Sequence, residues 1–108
     1  MSSLLIIGAG SFSTEVEELA RLLRYTDIAL LDDKSPVAIG TMQDIGKMRK
    51  RYDTAIVALG NNENRKRFHE ELVRYDFNIP TLIHPAAYVS PDAQLAPVCI
   101  VRTNAVVS

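Results

Sequence analysis

The chain is poor in cysteine, in net charge and in long hydrophobic runs, and each absence excludes a class of protein. One cysteine cannot form an internal disulfide framework, which fits a reducing compartment. Twelve basic and thirteen acidic residues give a net charge of −1, so nothing favours nonspecific attraction to nucleic acid or anionic lipid. Residues 1–7 are too short for a signal peptide, and no stretch approaches membrane-spanning length. We therefore expect a soluble, cytoplasmic protein.

The sequence has enough apolar residues for a hydrophobic core, and it predicts strands that alternate with helices. The 108 residues are 47% hydrophobic, which is inconsistent with disorder and leaves room for one domain plus an appendage. Apolar runs at 4–7, 28–31, 55–59 and 81–83 predict strands. Helical spacing after a capping-box pattern at Thr14 and Glu17, a basic stretch at 45–52, and a segment capped by Asn62 predict helices. The alternation predicts an α/β fold with a doubly wound parallel sheet.

The last quarter of the chain keeps a six-residue register. Small residues recur at one phase and aliphatic residues two positions later: Ala87, Ala93, Cys99 and Ala105, then Val89, Leu95, Val101 and Val107. This periodicity is typical of a parallel β-helix, and the alternative is an extended tail with chance spacing. Because solenoids need stacked, capped repeats, we expect the β-helix to be cut short here, together with part of its function.

Ligands of such sheets bind at the carboxyl ends of the strands, where the first candidate segment lies. The turn at residues 8–13 contains Gly8 and Gly10 and leads into a helix, whose first N–H groups suit a phosphate. It begins like a dinucleotide fingerprint, but Ser13 stands where the third glycine belongs. The alternative is a tight turn without a ligand.

Two more segments follow at the neighbouring strand ends. Asp32 and Asp33 can accept hydrogen bonds from a ribose or a base, although Asp33 can equally begin the turn. Gly60 permits close backbone approach and Asn61 adds polar groups, while helix capping alone would explain Asn62. Together the three segments predict a nucleotide-sized ligand.

In order along the chain, LIIGAG (5–10), LDD (31–33), ALGNNENR (58–65) and IHP (83–85) resemble the sialic-acid O-acetyltransferase-like sugar acyltransferases. The bacterial UDP-4-amino-sugar N-acetyltransferases of the bacillosamine pathway are the most similar members. The resemblance implies a Rossmann-like UDP-sugar-binding domain over residues 1–84, with helices on both faces of its sheet. It also implies a left-handed β-helix of hexapeptide repeats beginning at residues 85–108. Acetyl-CoA would bind between β-helix coils, and the full-length protein would be a homotrimer.

The same resemblance places the nucleotide-binding turn, the acidic pair and the strand-end glycine. With Gly8 and Asn61 added from the segments above, the expected substrate-binding residues are Gly8, Gly10, Ser11, Phe12, Asp32, Asp33, Gly60 and Asn61. Ser11, Phe12 and Ser13 replace a Gly-His-Gly trio of the family. The loss of two glycines limits how closely a phosphate can approach the backbone, and the loss of the histidine removes a polar contact near the sugar.

The family's general base is a β-helix histidine, and no histidine follows His84. We therefore assign no catalytic or metal-binding residue and expect this chain alone to be inactive, with acetyl-CoA the cofactor of the parent enzyme. His84 is expected to pack at the junction and His69 to be solvated, as are the basic runs 49–51 and 65–67. The alternatives are a non-catalytic nucleotide-binding module of NAD type and a ligand-free scaffold. The incomplete glycine fingerprint disfavours NAD.

Overall fold

A three-stranded parallel sheet with the order β2-β1-β3 forms the centre of the structure, a computed structural model that describes residues 3–83 and the strand residues 88–89, 100–101 and 106–107. The strands of the sheet are β1 (Ser3–Ile7), β2 (Asp27–Leu31) and β3 (Ala55–Val57). The helices are α1 (Ser11–Leu22), α2 (Ile45–Met48) and α3 (Asn62–Arg74), and a 3-10 turn (Met42–Asp44) precedes α2. In residues 3–83 no helix is long and apolar enough to cross a membrane.

The central strand β1 is buried on both faces because helices cover each side of the sheet. Leu4 and Ile6 point to the α1 side, whereas Leu5 and Ile7 point to the α2 and α3 side. All four side chains are fully buried, which explains the unbroken apolar run. The predicted parallel α/β sheet with helices on both faces is confirmed.

Two helix starts differ from the prediction. The capping box at Thr14 and Glu17 is wrong, because α1 begins at Ser11 and Gly10 is its N-cap. The buried Ser13 hydroxyl donates to the Gly10 carbonyl oxygen at 2.6 Å, and this bond closes the first turn of α1.

The N-cap of α3 is Asn61 rather than Asn62. The Asn61 side-chain oxygen accepts a hydrogen bond from the Asn64 N–H at 3.0 Å. Either asparagine has a suitable side chain, and the backbone decides between them, because Asn61 is extended and Asn62 is already helical. Of the helix predicted at 45–52 only the short α2 forms, and the 3-10 turn lies before the predicted start.

The predicted fourth strand of the sheet is also wrong. β4 (Leu82–Ile83) pairs in parallel with β6 (Ile100–Val101), and among the described residues it does not join the sheet. Likewise β5 (Tyr88–Val89) pairs in parallel with β7 (Val106–Val107). Each strand thus pairs with one that follows three hexads later. Several residues of the hexad prediction, with the proposed junction histidine, lie outside the described residues: His84, Ala87, Ala93, Leu95, Cys99 and Ala105.

Tyr52 offers a test of the packing beneath α2. Its hydroxyl donates to Asp27 Oδ1 at 3.1 Å, and burial, followed by this hydrogen bond and the Asp27 charge, raises the pKa of Tyr52 above 10.0. Because the folded-state pKa exceeds the unfolded value, the hydrogen bond stabilises the fold fully below pH 10.0 and its contribution is lost as the pH rises through the folded-state pKa. We expect Tyr52→Phe to cost about 1 kcal/mol at neutral pH and to remove this alkaline loss. Urea unfolding across that pH range, with the half-exposed Tyr75→Phe as the control, checks it; an unchanged alkaline loss in Tyr52→Phe would contradict it.

Candidate functional site

Gly8 joins the carboxyl ends of the three strands. Its N–H donates to the Leu31 carbonyl oxygen at the end of β2 at 2.7 Å. Its φ of +117° is a conformation that other residues rarely adopt, and a Cβ there would lie 2.8 Å from the carbonyl oxygen of Ala58, just past β3. Glycine is therefore required at this position by the fold itself, whatever ligand the edge binds.

Gly10 and Gly60 differ from Gly8 in having no such structural requirement. Neither has a positive φ, and a Cβ at either position would meet no atom within 4 Å among the described residues. Both are exposed, one before α1 and the other before the N-cap of α3. Two glycines that the packing does not need leave bare backbone on the same edge of the sheet, which suits close approach of a ligand.

The rest of the predicted turn is partly structural. Ser11 is the first residue of α1, and Phe12 packs against the core on the α1 side. Ser13, at the position of the missing third glycine, is buried and its hydroxyl is satisfied by Gly10. The serine therefore fits this helix start without the glycine of a dinucleotide fingerprint.

The acidic pair organises the loop after β2. Asp32 Oδ2 accepts hydrogen bonds from the Lys34 and Ser35 N–H groups at 3.0 and 2.9 Å, and Asp33 Oδ1 accepts one from the Met42 N–H at 2.9 Å. The second oxygen of each carboxylate accepts no hydrogen bond from residues 3–83. Each aspartate thus fixes the loop through one oxygen and offers the other at the carboxyl edge.

A cavity of about 350 Å³, here called the Asp33 cavity, lies between α3 and the 3-10 turn with α2. Apolar, aromatic, polar and charged residues together line it: Asp33, Met42, Gln43, Ile45, Arg67, Phe68, Glu71 and Tyr75. Of the predicted site residues only Asp33 lines it. The available sequence signal was the helical spacing that places Phe68, Leu72 and Tyr75 on one side of the helix, and it did not indicate a cavity.

A second cavity, of about 240 Å³, is lined by Val57 of β3 and by Asn62, Arg65, Lys66 and His69 of α3. We call it the His69 cavity. The expectation that His69 is solvated is only partly correct, because the residue is partly exposed but its Nδ1 is buried and has no hydrogen-bond partner among the described residues. Such an unpaired buried group costs about 1–3 kcal/mol. The run 65–67 is largely solvated as expected, since Lys66 and Arg67 are exposed, and each of its residues also lines one of the two cavities.

Comparison with known proteins identifies the fold. Residues 3–72 match the PglD N-terminal domain family. The chain belongs to this family. The match confirms the resemblance to sugar acyltransferases, and it covers β1 through most of α3, including all three segments at the carboxyl edge.

Solved structures agree with this assignment. The acetyltransferase domain of PglB from Neisseria gonorrhoeae FA1090, in complex with acetyl coenzyme A, is 35% identical with a TM-score of 0.89, over 96% of this chain and 54% of that one. PerB from Caulobacter crescentus, in complex with CoA and GDP-perosamine, is 25% identical with a TM-score of 0.89, over 100% of this chain and 55% of that one. A variant of perosamine N-acetyltransferase from the same organism, 24% identical with a TM-score of 0.91, shows the fold alone; it covers 100% of this chain and 55% of that one. The chain spans about half the length of these proteins.

Proposed function

We propose that this chain is the nucleotide-sugar-binding part of an acetyl-CoA-dependent sugar N-acetyltransferase. The observation that carries the proposal is the carboxyl edge, where Gly10 and Gly60 expose backbone that the packing does not require. The N–H groups at the start of α1 would hold the diphosphate, and the second oxygens of Asp32 and Asp33 would accept from the ribose or the base. Similarity to PglB and PerB supports sugar N-acetylation as the reaction.

We propose a uridine diphosphate sugar as the ligand, on the resemblance to the bacillosamine-pathway enzymes. PerB binds a guanosine diphosphate sugar at only 25% identity, so the base is the part of the ligand that needs testing. Gly8, Ser11, Phe12 and Asn61 complete the proposed site. In the fold, Gly8 and Phe12 shape this edge, whereas Asn61 starts α3 beside it.

The strand pairs after residue 81 support a β-helix as the second part of the protein. β4 with β6, and β5 with β7, each join residues three hexads apart, which is the repeat of one triangular coil. We propose that these strands begin a left-handed β-helix, that the sheet domain extends to residue 84, and that the complete protein is a cytoplasmic homotrimer that binds acetyl-CoA on its β-helices.

In that enzyme the sugar amine attacks the thioester carbonyl, the C–S bond breaks and CoA leaves as the thiol. A general base takes the proton that the amine loses and passes it to the departing sulfur, which gives the thiol. No histidine follows His84 in these residues, so the role we propose for them is to bind and orient the nucleotide sugar.

Thermal unfolding with nucleotide ligands tests the proposal. We expect UDP and a UDP-sugar at about 100 times their dissociation constants to stabilise the fold by about 2.7 kcal/mol, because they bind only the folded state. NAD at the same concentration should have little effect. Equal or larger stabilisation by NAD would assign the chain to the NAD-type class. Stronger stabilisation by GDP than by UDP would identify guanine as the base of the ligand. No stabilisation by any nucleotide would favour the ligand-free scaffold.

The site itself is best tested at Gly60 rather than Asp32, since Asp32→Ala would also disrupt the loop that its Oδ2 holds. Gly60→Ala places a methyl group in open space and should weaken UDP binding about tenfold while leaving the fold intact. Asn78→Ala, at the opposite end of β3, is the control and should bind UDP normally. Unchanged UDP affinity in Gly60→Ala would place the ligand elsewhere.

A further inference from the structure

We propose that Ser13 is a positioning residue of the nucleotide-sugar site, an inference that rests on the function proposed above. In the part of the chain that the structure describes, Ser13 is the one polar residue that is buried, with 2% of its surface exposed. Burying a hydroxyl is unfavourable unless it is hydrogen-bonded, and this one donates to the Gly10 carbonyl oxygen at 2.6 Å. The hydroxyl therefore holds the residue at which the chain enters α1.

The Gly10 carbonyl oxygen accepts two hydrogen bonds from Ser13. The Ser13 N–H donates at 3.1 Å, which is an ordinary contact at the start of a helix. The hydroxyl adds a second, shorter bond that is partly shielded from water, where hydrogen bonds are electrostatically stronger. These two donors keep the carbonyl directed into the first turn of α1.

Gly10 needs this constraint because packing does not fix its backbone. It is exposed, and a Cβ at this position would meet no atom within 4 Å among the described residues. Glycine also has more backbone freedom than any other residue. Within residues 3–83 no side-chain cap closes the start of α1, whereas the Asn61 side chain caps α3. Ser13 thus supplies from inside α1 the constraint that Asn61 supplies to α3 from its N-cap.

The same contact sets the direction of an N–H group that faces the proposed ligand. The Gly10 carbonyl and the Ser11 N–H belong to one planar trans peptide unit, in which they point in opposite directions. A carbonyl held into the helix therefore directs the Ser11 N–H outward, past the start of α1, where we place the diphosphate. A turn that already has its bound conformation loses less conformational entropy when the ligand binds.

Isothermal titration calorimetry with UDP tests the role of this hydroxyl. Ser13→Ala should weaken UDP binding about fivefold, the factor that corresponds to one ordinary hydrogen bond. The Ser13 backbone bond to Gly10 remains in this variant, so α1 should still form. Tyr52→Phe is the matched control, because it removes a hydroxyl that is bonded to Asp27 at the start of β2, away from the carboxyl edge. Both variants should lower the melting temperature by about 4–8 °C, but Tyr52→Phe should bind UDP like the parent chain.

Amide ¹⁵N relaxation gives a second readout, which a general loss of stability would not change. In the ligand-free chain we expect the order parameters of the Gly10 and Ser11 amides to fall from about 0.85 in the parent to about 0.6 in Ser13→Ala, and to recover when UDP binds. Order parameters that stay at the parent values, or equal weakening of UDP binding in both variants, would overturn the inference. If the parent binds UDP and Ser13→Ala binds it equally well, only the role of Ser13 is wrong. If the parent chain binds no nucleotide, the proposed function is wrong as well.

Discussion

Replacing Gly8 with alanine is expected to lower the free energy of unfolding by about 3 kcal/mol, from backbone strain and forced displacement together. The φ of +117° is strained for any residue that has a Cβ. The new methyl group would also lie 2.8 Å from the Ala58 carbonyl oxygen, which is backbone and cannot rotate away. For a domain of this size, such a loss is a large part of the total stability.

Chemical denaturation of Gly8→Ala beside Gly60→Ala measures this effect. Gly60 has neither a positive φ nor a near neighbour among the described residues, so its alanine variant should stay within about 0.5 kcal/mol of the parent chain. The two variants make the same chemical change at the same edge of the sheet. Similar stabilities would show that Gly8 is not held in the strained conformation, and the proposed division between structural and ligand-facing glycines would then be wrong.

The sequence alone could place all three glycines at the carboxyl edge but could not divide them by role. Each follows or lies near the end of an apolar run, and that pattern contains no information about φ or about neighbouring atoms. Gly8 is fixed by contacts with Leu31 and Ala58, which are distant in sequence and are brought together only by the order of the strands. Periodicity predicts the strands well because burial on both faces forces apolar residues at every position.

The helix boundaries and N-cap residues were predicted less well than the strands, because several neighbouring residues in each segment have side chains that could serve the same role. Thr14 with Glu17 matches a capping box, yet the helix begins at Ser11 because the chain turns at Gly10 and the Ser13 hydroxyl closes that turn. Asp32 and Asp33 show the same ambiguity. Their carboxylates suit a nucleotide and also suit the loop amides, and the structure shows that one oxygen of each serves the loop.

The cavities on α3 could not be derived from the sequence for a different reason. A helix with a run of basic residues is usually a solvated face, and that is how residues 65–67 were interpreted. Whether such side chains line a cavity depends on what packs beside the helix. Here Val57 lies next to one face of α3, and the 3-10 turn with α2 lies next to the other. Helical spacing identifies which residues share a face but not what that face meets.

The short strand β4 is where the two parts of the chain are joined, and this explains why it was mistaken for a fourth strand of the sheet. Its backbone pairs with β6, whereas the Leu82 side chain is 1% exposed in the core between α1 and the sheet. An apolar run buried against a sheet has the composition of a sheet strand. The distinction lies in the hydrogen-bond partner, which is set by residues three hexads later.

Leu82→Ala is therefore expected to cost about 3 kcal/mol, since it removes a buried side chain and leaves a cavity in the core cluster that also contains Leu4 and Ile6. The same change should increase amide hydrogen exchange at Ile100 and Val101, because their partner strand is held in place by this side chain. Leu22→Ala is the matched control: Leu22 is 56% exposed on α1, so its loss should change stability by about 0.5 kcal/mol or less. If Leu82→Ala is as stable as Leu22→Ala, the side chain does not contribute to the core. If it is destabilised but exchange at β6 is unchanged, the strand pair is held independently of the sheet, and β4 does not couple the three-stranded sheet to the strands that follow it.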